Sequence, residues 1–356
     1  MSNRLRVLFT TNIPVPYRID FFNELGQWVD LTVVFERRNA KSRDSSWLNQ
    51  KIVNFKGIFM KGKAIGDDIA FCPEILRIVR KGKFDRIVVG IYYSPTGILL
   101  TQYLRFTHTP FLMTGDGGFP KKESRVKHWI KSYLNHGASR YLITSEASKK
   151  VLSEYDIPSE KMKVYPFTSL RSTDVLDKPV NDEEKSNIRH CLGVREEKMV
   201  LGVGRLLFFK GWQDLIAISK QLGANCGIYI VGGQPEGTDF EPYINQIPNN
   251  FHFIDFKQKS ELLKWYQAAD VFVLPSRNDI WGLVVNEAMA MGFPIVTTYT
   301  TVAGLELIQE GVNGYLYHAG DTKQLLNVIN SILNDKALRQ DMSLANLKKI
   351  RDRKSV

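Results

Sequence analysis

The sequence predicts an α/β protein built from two doubly wound parallel-sheet domains. Short apolar, β-branched runs alternate with segments of helical length along almost the whole chain, the pattern of repeated β-α units. With 356 residues, the chain exceeds the roughly 250–300 at which one hydrophobic core stops growing, so two cores are expected. The apolar runs end in small, polar or glycine-containing loops, where a parallel sheet gathers its ligand groups.

In order, the first strand is expected from Arg4 to Thr11, ahead of the turn Asn12-Ile13-Pro14-Val15-Pro16 and a helix from Tyr17 through Leu25. Asp30 to Phe35 forms the second strand. Glu36 to Lys56 is polar, with Trp47 as its main apolar anchor, and reads as a long loop holding a short strand at Ile52 to Phe55. A helix from Asp67 to Arg80 leads to the strand Phe84 to Gly90, then Tyr92 to Gly97 and a helix to Arg105. The strand Pro110 to Thr114, a basic helix, the strand Arg140 to Ser145 and a helix to Tyr155 complete this half. In Thr114-Gly115-Asp116-Gly117-Gly118-Phe119 one carboxylate stands among glycines that let a ligand approach the backbone. Asp116 is thus either an accessible ligand group or a turn residue.

Pro166 to Lys198 is small and polar where it leaves the last strand and reads as the join and hinge between domains. A first domain over 1–170, a second over 171–335 and a terminal helix over 336–356 follow. The second domain opens on the strand Lys198 to Gly204, and its continuation, Gly204-Arg205-Leu206-Leu207-Phe208-Phe209-Lys210-Gly211-Trp212, sets two cations between glycines. Those glycines do not keep the Gly-x-Gly-x-x-Gly spacing and no helix is expected at Gly204, which argues against a nicotinamide-dinucleotide fingerprint. Ile228 to Gly233 and Phe251 to Phe256 are the next strands, with His252 a packed strand residue, and Ser260 to Ala268 is a helix. Leu274 to Val296, LPSRNDIWGLVVNEAMAMGFPIV, then reads as strand end, loop, helix and strand. Asp279 and Glu287 flank that strand-to-helix junction, where unpaired N–H groups and the helix dipole favour an anionic ligand. The helices Thr322 to Asn334 and Lys336 to Ile350 end the chain.

The stretch PSRNDIWGLVVNEAMAMGFPIV resembles the donor-site signature of family-four glycosyltransferases of the GT-B fold, bacterial surface-polysaccharide type. The resemblance covers Arg4 to Glu36 loosely and Val200 to Asp321 closely, and implies two Rossmann-like domains facing across a cleft. By position it implies that Glu287 binds ribose hydroxyls, that Asp279 faces the donor sugar and that Arg205 and Lys210 converge on the diphosphate. Trp281, Gly282 and Leu283 would complete the donor site at the helix start. The family usually carries Glu where Asp279 stands and Gly where Asp255 borders the nucleobase. Asp116 would line the acceptor or donor cleft unless it serves only its turn. Arg18, in a first loop that resembles the family's loop near the donor phosphates but lacks its paired glycines, either meets a phosphate or is a solvated helix-start residue.

The implied reaction is retaining transfer from a nucleotide-diphosphate sugar, a UDP-sugar first, to a hydroxyl of a glycan or polyprenyl-linked glycan, with no cofactor. No Asp-x-Asp pair occurs, so a metal-independent reaction is expected, with Arg205, Lys210 and helix-start amides meeting the charge of the leaving diphosphate. The family commonly ends in a longer helix that crosses back onto the first domain. Only six residues follow Ile350, so that helix is expected to be incomplete, through a shorter crossing element or a truncated chain.

The formal charge of +11 is uneven: residues 1–170 hold 27 Lys/Arg against 15 Asp/Glu, and the remainder 21 against 22. The excess condenses at Lys121 to Leu134, where Val126, Trp129, Ile130, Tyr133 and Leu134 share a helical face flanked by cations. Such a helix either lies on an anionic bilayer or is an ordinary amphipathic surface helix. Three scattered cysteines show no paired spacing, so reduced thiols are expected. The apolar run Val7 to Phe9 is too short for a signal sequence and no stretch reaches membrane-spanning length, so a cytoplasmic protein, at most peripheral on the inner face of the membrane, is expected. Two rival classes remain: a nucleotide-sugar epimerase or phosphorylase on the same fold, and a noncatalytic nucleic-acid binder. The latter would need a recognised module or interleaved aromatics that the basic half lacks, so no nucleic-acid partner is expected.

Overall fold

The computed structural model describes residues 4–40, 51–115, 118–120 and 123–352, and the chain divides into two compact units between Phe167 and Thr168. In the first unit the elements are β1 (Arg6–Thr11), α1 (Pro16–Trp28), β2 (Asp30–Phe35), β3 (Lys56–Phe59), β4 (Lys63–Ala64), β5 (Ala70–Phe71), α2 (Glu74–Gly82) and β6 (Arg86–Val89). They are followed by α3 (Pro95–Phe106), β7 (Leu112–Gly115), α4 (Arg125–Asn135), β8 (Arg140–Ile143), α5 (Glu146–Ser153) and β9 (Met162–Val164). Seven strands form one parallel sheet in the order β3-β2-β1-β6-β7-β8-β9, and β4 and β5 make a separate antiparallel pair.

Alternation along β1 explains the two-sided core. Leu8 joins Ile87, Leu100, Leu104 and Met113 on one face, while Val7 and Phe9 join Ile19, Phe22, Val33 and Phe35 on the other.

The expected helix from Asp67 begins at Glu74 instead. Pro73 disfavours a helical conformation at Cys72, and the residues before it form the β4–β5 pair. The expected strand at Ile52 to Phe55 forms four residues later, at Lys56–Phe59. There, Asn23 of α1 takes the backbone N–H groups of Val53 and Asn54 at 2.9 and 3.2 Å, so those donors are engaged by a side chain rather than a neighbouring strand. Trp47 lies outside the described residues. The basic helix starts at Arg125, capped by the Ser124 hydroxyl, which accepts from the Lys127 N–H. The short strand β9 is an addition to the sequence reading.

In the second unit come α6 (Asp182–Leu192), β10 (Lys198–Val203), α7 (Trp212–Ser219), β11 (Cys226–Val231), β12 (Phe251–Ile254), α8 (Lys259–Ala268) and β13 (Val271–Leu274). Then follow α9 (Leu283–Ala290), β14 (Ile295–Thr298), α10 (Val302–Leu307), β15 (Gly314–Tyr317), α11 (Thr322–Asn334) and α12 (Lys336–Asp352). The sheet order β12-β11-β10-β13-β14-β15 is again wholly parallel. Strand order therefore reverses between β10 and β13, and the crevice beyond their carboxyl ends is where such a sheet takes its ligand.

Residues Val271 to Leu274 are all buried, which is why that run reads as unbroken apolar sequence. Asp270 anchors the same strand end: it pairs with Arg189 at 2.7 Å and accepts from the Met199 N–H at 2.9 Å. The last helix is fixed within this unit by Asn346, whose amide donates to the carbonyls of Phe293 and Asn313 at 2.6 and 2.7 Å. Among the described residues no helix is long and apolar enough to cross a membrane.

Candidate functional site

The loops after β10 and β13 are locked together before any side chain of interest is placed. Gly211 has φ +78°, and a Cβ there would stand 1.9 Å from the Pro275 carbonyl oxygen, so only glycine permits this approach. The Arg277 N–H donates to the Phe209 carbonyl at 2.7 Å. Beneath them Arg277 grips Asp214 of α7 through two bonds of 2.7 Å each, and Asp214 also accepts from the Gly320 N–H at 3.1 Å. This bidentate pair joins the first turn of α7, the loop after β13 and the end of β15. Asp214 beside it holds the Arg277 guanidinium above its usual range, so the guanidinium stays charged.

On this brace stand the residues that the sequence singles out. Lys210 closes the short turn Phe208–Lys210, and its Nζ lies 2.6 Å from Asp279 Oδ2, with the two side chains 17% and 14% exposed. Asp279 is fixed through its backbone: its N–H donates to Thr300 at 2.9 Å and its carbonyl accepts from Val302 at 3.1 Å. Arg205 is exposed at the end of β10, and its carbonyl accepts from the buried Trp212 indole at 3.0 Å. Trp281 is buried, its indole N–H donating to Asn286 at 2.8 Å. Gly282 adopts φ +90°, a Cβ there would stand 3.0 Å from Thr301 and 3.1 Å from Leu274, closer than ordinary contact, and α9 begins at Leu283.

Glu287 lies in the second turn of α9, partly exposed. One carboxylate oxygen accepts from the Ser169 hydroxyl at 2.8 Å and the other from the Tyr266 hydroxyl at 3.2 Å. Burial pushes its pKa up, against the lowering effect of those two hydroxyls. Burial also raises the Tyr266 hydroxyl far above its ordinary value, so it remains a donor. The carboxylate is therefore held by neutral groups that leave it further lone pairs for a ligand.

Arg205, Lys210, Asp279, Trp281, Gly282, Leu283 and Glu287 thus all belong to the loops and helix start beyond β10 and β13. Asp116 lies outside the described residues. The reading of Arg18 as a solvated helix-start residue is corrected: it is buried, with its guanidinium 5.4 Å from the Phe167 ring centroid, because α1 turns that side chain onto the aromatic residues of its own unit. His252 is a packed strand residue, stacked on Tyr229 at 4.4 Å and bonded to Glu196 at 2.9 Å. Sequence reasoning missed Asp214, Arg277, Ser169 and Tyr266. Arg277 stood inside the quoted motif, but its partner is 63 positions away and Ser169 is 118 from Glu287, separations that no local pattern announces.

Against known proteins, the family described as glycosyl transferases group 1 matches residues 184–349. An uncharacterized glycosyltransferase, MJ1607 of Methanocaldococcus jannaschii, is 32% identical over 63% of this chain and 58% of its own. The chain therefore spans a little over half the length of that relative. The crystal structure of Anabaena Alr3699/HepE in complex with UDP aligns over 98% of this chain and 95% of its own with a TM-score of 0.76 at 20% identity, which shows the shared fold. D-inositol 3-phosphate glycosyltransferase of Corynebacterium glutamicum (strain R) is 30% identical over 76% of this chain and 69% of its own. Kinship at that extent, together with the two parallel-sheet units of the GT-B fold, places the chain in the group 1 glycosyltransferase family.

Proposed function

We propose that the protein transfers a hexosyl residue from a nucleotide-diphosphate sugar, a UDP-sugar first, to a hydroxyl of a glycan or lipid-linked glycan, with retention of configuration and without a metal ion. The observation that carries this reading is the gathering of Arg205, Lys210 and Glu287 at the one strand-order reversal of the second sheet. Two cations at the carboxyl end of β10 suit a diphosphate, and their charge would stabilise it increasingly as the glycosidic bond breaks. The start of α9 at Leu283 offers backbone N–H groups of the kind that receive phosphate. Glu287 has acceptor capacity for two ribose hydroxyls. The structural neighbour HepE has been solved with UDP and with UDP-glucose, which favours uracil as the base. Retention rests on the family resemblance, and metal independence on the cations that take the metal's place. A lipid-linked acceptor would make the protein peripheral on the membrane.

The test is release of UDP from a panel of UDP-hexoses, in chelator, with and without glycan acceptors. Acceptor-dependent release in chelator supports transfer. Conversion or phosphorolysis of donor without acceptor would instead identify an epimerase or phosphorylase, and activity that returns only with magnesium would overturn metal independence.

A further inference from the structure

Helix α4 buries only Leu134 and Asn135 of its eleven residues. Val126 is 69% exposed, Trp129 65%, Ile130 45% and Tyr133 43%. The helix does not present this face alone. Tyr133 donates its hydroxyl to Gln102 of α3 at 3.0 Å, and the Arg105 guanidinium lies 4.1 Å from the Tyr133 ring centroid. Gln102, Arg105 and Phe106 share one side of α3, and Phe106 is 84% exposed. Ile98, one turn before Gln102, is 37% exposed. Trp129 stacks on Tyr133 at 6.0 Å with an interplanar angle of 18°, so Trp129, Tyr133, Gln102 and Arg105 form a connected surface across two helices.

We infer that α3 and α4 together form a platform that seats the protein on an anionic lipid bilayer, with Phe106, Trp129 and Ile130 entering the headgroup region. Charge decides the occupant. The two helices carry Arg105, Arg125, Lys127 and Lys131 and no acid, and Lys121 and Lys122 adjoin them in sequence. A second copy would bring the same cations against themselves, whereas an anionic surface complements them. Lys131 is engaged with Glu123 at 2.6 Å, which leaves Arg125 and Lys127 as the exposed contacts within α4. Apolar side chains ringed by cations are the composition of an interfacial helix. The inference supplies the membrane contact that the proposed lipid-linked acceptor calls for, but vesicle binding needs neither donor nor acceptor, so the two readings fail separately.

The test is co-sedimentation of the full chain with vesicles of equal parts phosphatidylglycerol and phosphatidylcholine, and with phosphatidylcholine alone. Binding is expected to the anionic vesicles and to weaken at high salt. Phe106→Ser combined with Trp129→Ser should lower the partition coefficient roughly tenfold or more. Arg125→Glu combined with Lys127→Glu should lower it roughly tenfold without removing an apolar contact. Affinity for UDP, measured calorimetrically on the same preparations, should not change. Wild-type protein that stays in the supernatant with anionic vesicles overturns the inference, as does an aromatic variant that sediments like wild type. It also falls if wild type ignores vesicles and forms a dimer that the aromatic variant dissolves.

Discussion

Both sheets reverse strand order beside their first strand, yet the loops beyond the reversal are built in opposite ways. In the first unit the polar groups there close upon one another. Glu36, 3% exposed, accepts from the Ala70 N–H at 2.8 Å and the Ser94 hydroxyl at 2.5 Å, and Asn12 donates to Asp68 at 2.7 Å. In the second unit the brace is ionic, at Asp214 and Arg277, while Lys210, Asp279, Arg205 and Glu287 stand in the loops and helix beyond β10 and β13. Glu36 and Glu287 are both raised by burial, but only Glu287 remains partly exposed. One topology thus yields a sealed polar seam and a charged rim. The difference resides in side chains, which is why fold alone does not say where the ligand goes.

The largest expected effect comes from removing the brace. Arg277→Ala would leave Asp214, whose side chain is 4% exposed, charged and without its bidentate partner, at a cost of about 3 kcal/mol of unfolding free energy. Urea denaturation reads this directly. A midpoint equal to wild type would show that the loops of the second unit do not depend on the ion pair, and the contrast with the first unit would collapse.

Next is Lys210→Ala, which removes a cation from the proposed diphosphate site while the brace below stays intact. Initial rates with the sugar donor should show kcat/KM lowered about a hundredfold, equivalent to about 2.7 kcal/mol of transition-state stabilisation. A loss confined to KM would mean that Lys210 binds substrate and transition state equally.

How much of this could be read from sequence follows the same division. The repeated β-α pattern and the buried run before Pro275 are local signals, and the order of the second sheet agrees with them. The motif from Leu274 to Val296 placed Asp279, Gly282 and Glu287 beyond one strand because chain neighbours stay together across a short loop. What it could not announce were contacts made by folding: Ser169 on Glu287, Arg277 on Asp214, and Lys210 on Asp279. The first unit was harder for a related reason. Asn23 engages the backbone of Val53 and Asn54 from another element, which delays β3, and Pro73 delays α2, so strand and helix starts there were set by partners or by backbone restriction rather than by hydrophobic period.

Glu287→Gln should show a smaller effect with two opposed parts. UDP affinity should fall by about 1.5 kcal/mol, roughly tenfold, as a charge-assisted acceptor becomes neutral. Fold stability should move the other way. The folded pKa of Glu287 lies above its ordinary value, so the native state holds its proton to higher pH than the unfolded chain. Its contribution is therefore most favourable below the unfolded pKa and declines as pH rises through the folded one. At neutral pH the Gln variant should be as stable as wild type or more so, and this advantage should vanish on acidification below the ordinary carboxylate range. Thermal unfolding across pH checks the sign; a variant that loses stability at neutral pH and regains it in acid would contradict it.

The smallest expected change concerns Asp279, and it tests how finely the charged rim is divided. Its carboxylate faces Lys210 at 2.6 Å rather than standing clear, so Asp279→Asn should free that cation and leave UDP affinity unchanged or up to about threefold tighter by weakening a competing partner. Turnover of the intact donor should still fall about fivefold, because a group proposed to orient the sugar has lost its charge. Asp279→Glu is the sharper variant. The backbone at Asp279 is pinned on both sides by Thr300 and Val302, so the added methylene cannot be absorbed by moving the loop and must carry the carboxylate past its present place beside Lys210. Lower turnover or an altered preference among UDP-hexoses, with UDP affinity preserved, is the expected result. Calorimetry with UDP and kinetics with intact donors separate the two properties. If Asp279→Asn and Glu287→Gln weakened UDP equally, the two acids would not meet different parts of one ligand, and Asp279 would be left with the sole task of holding Lys210 in place.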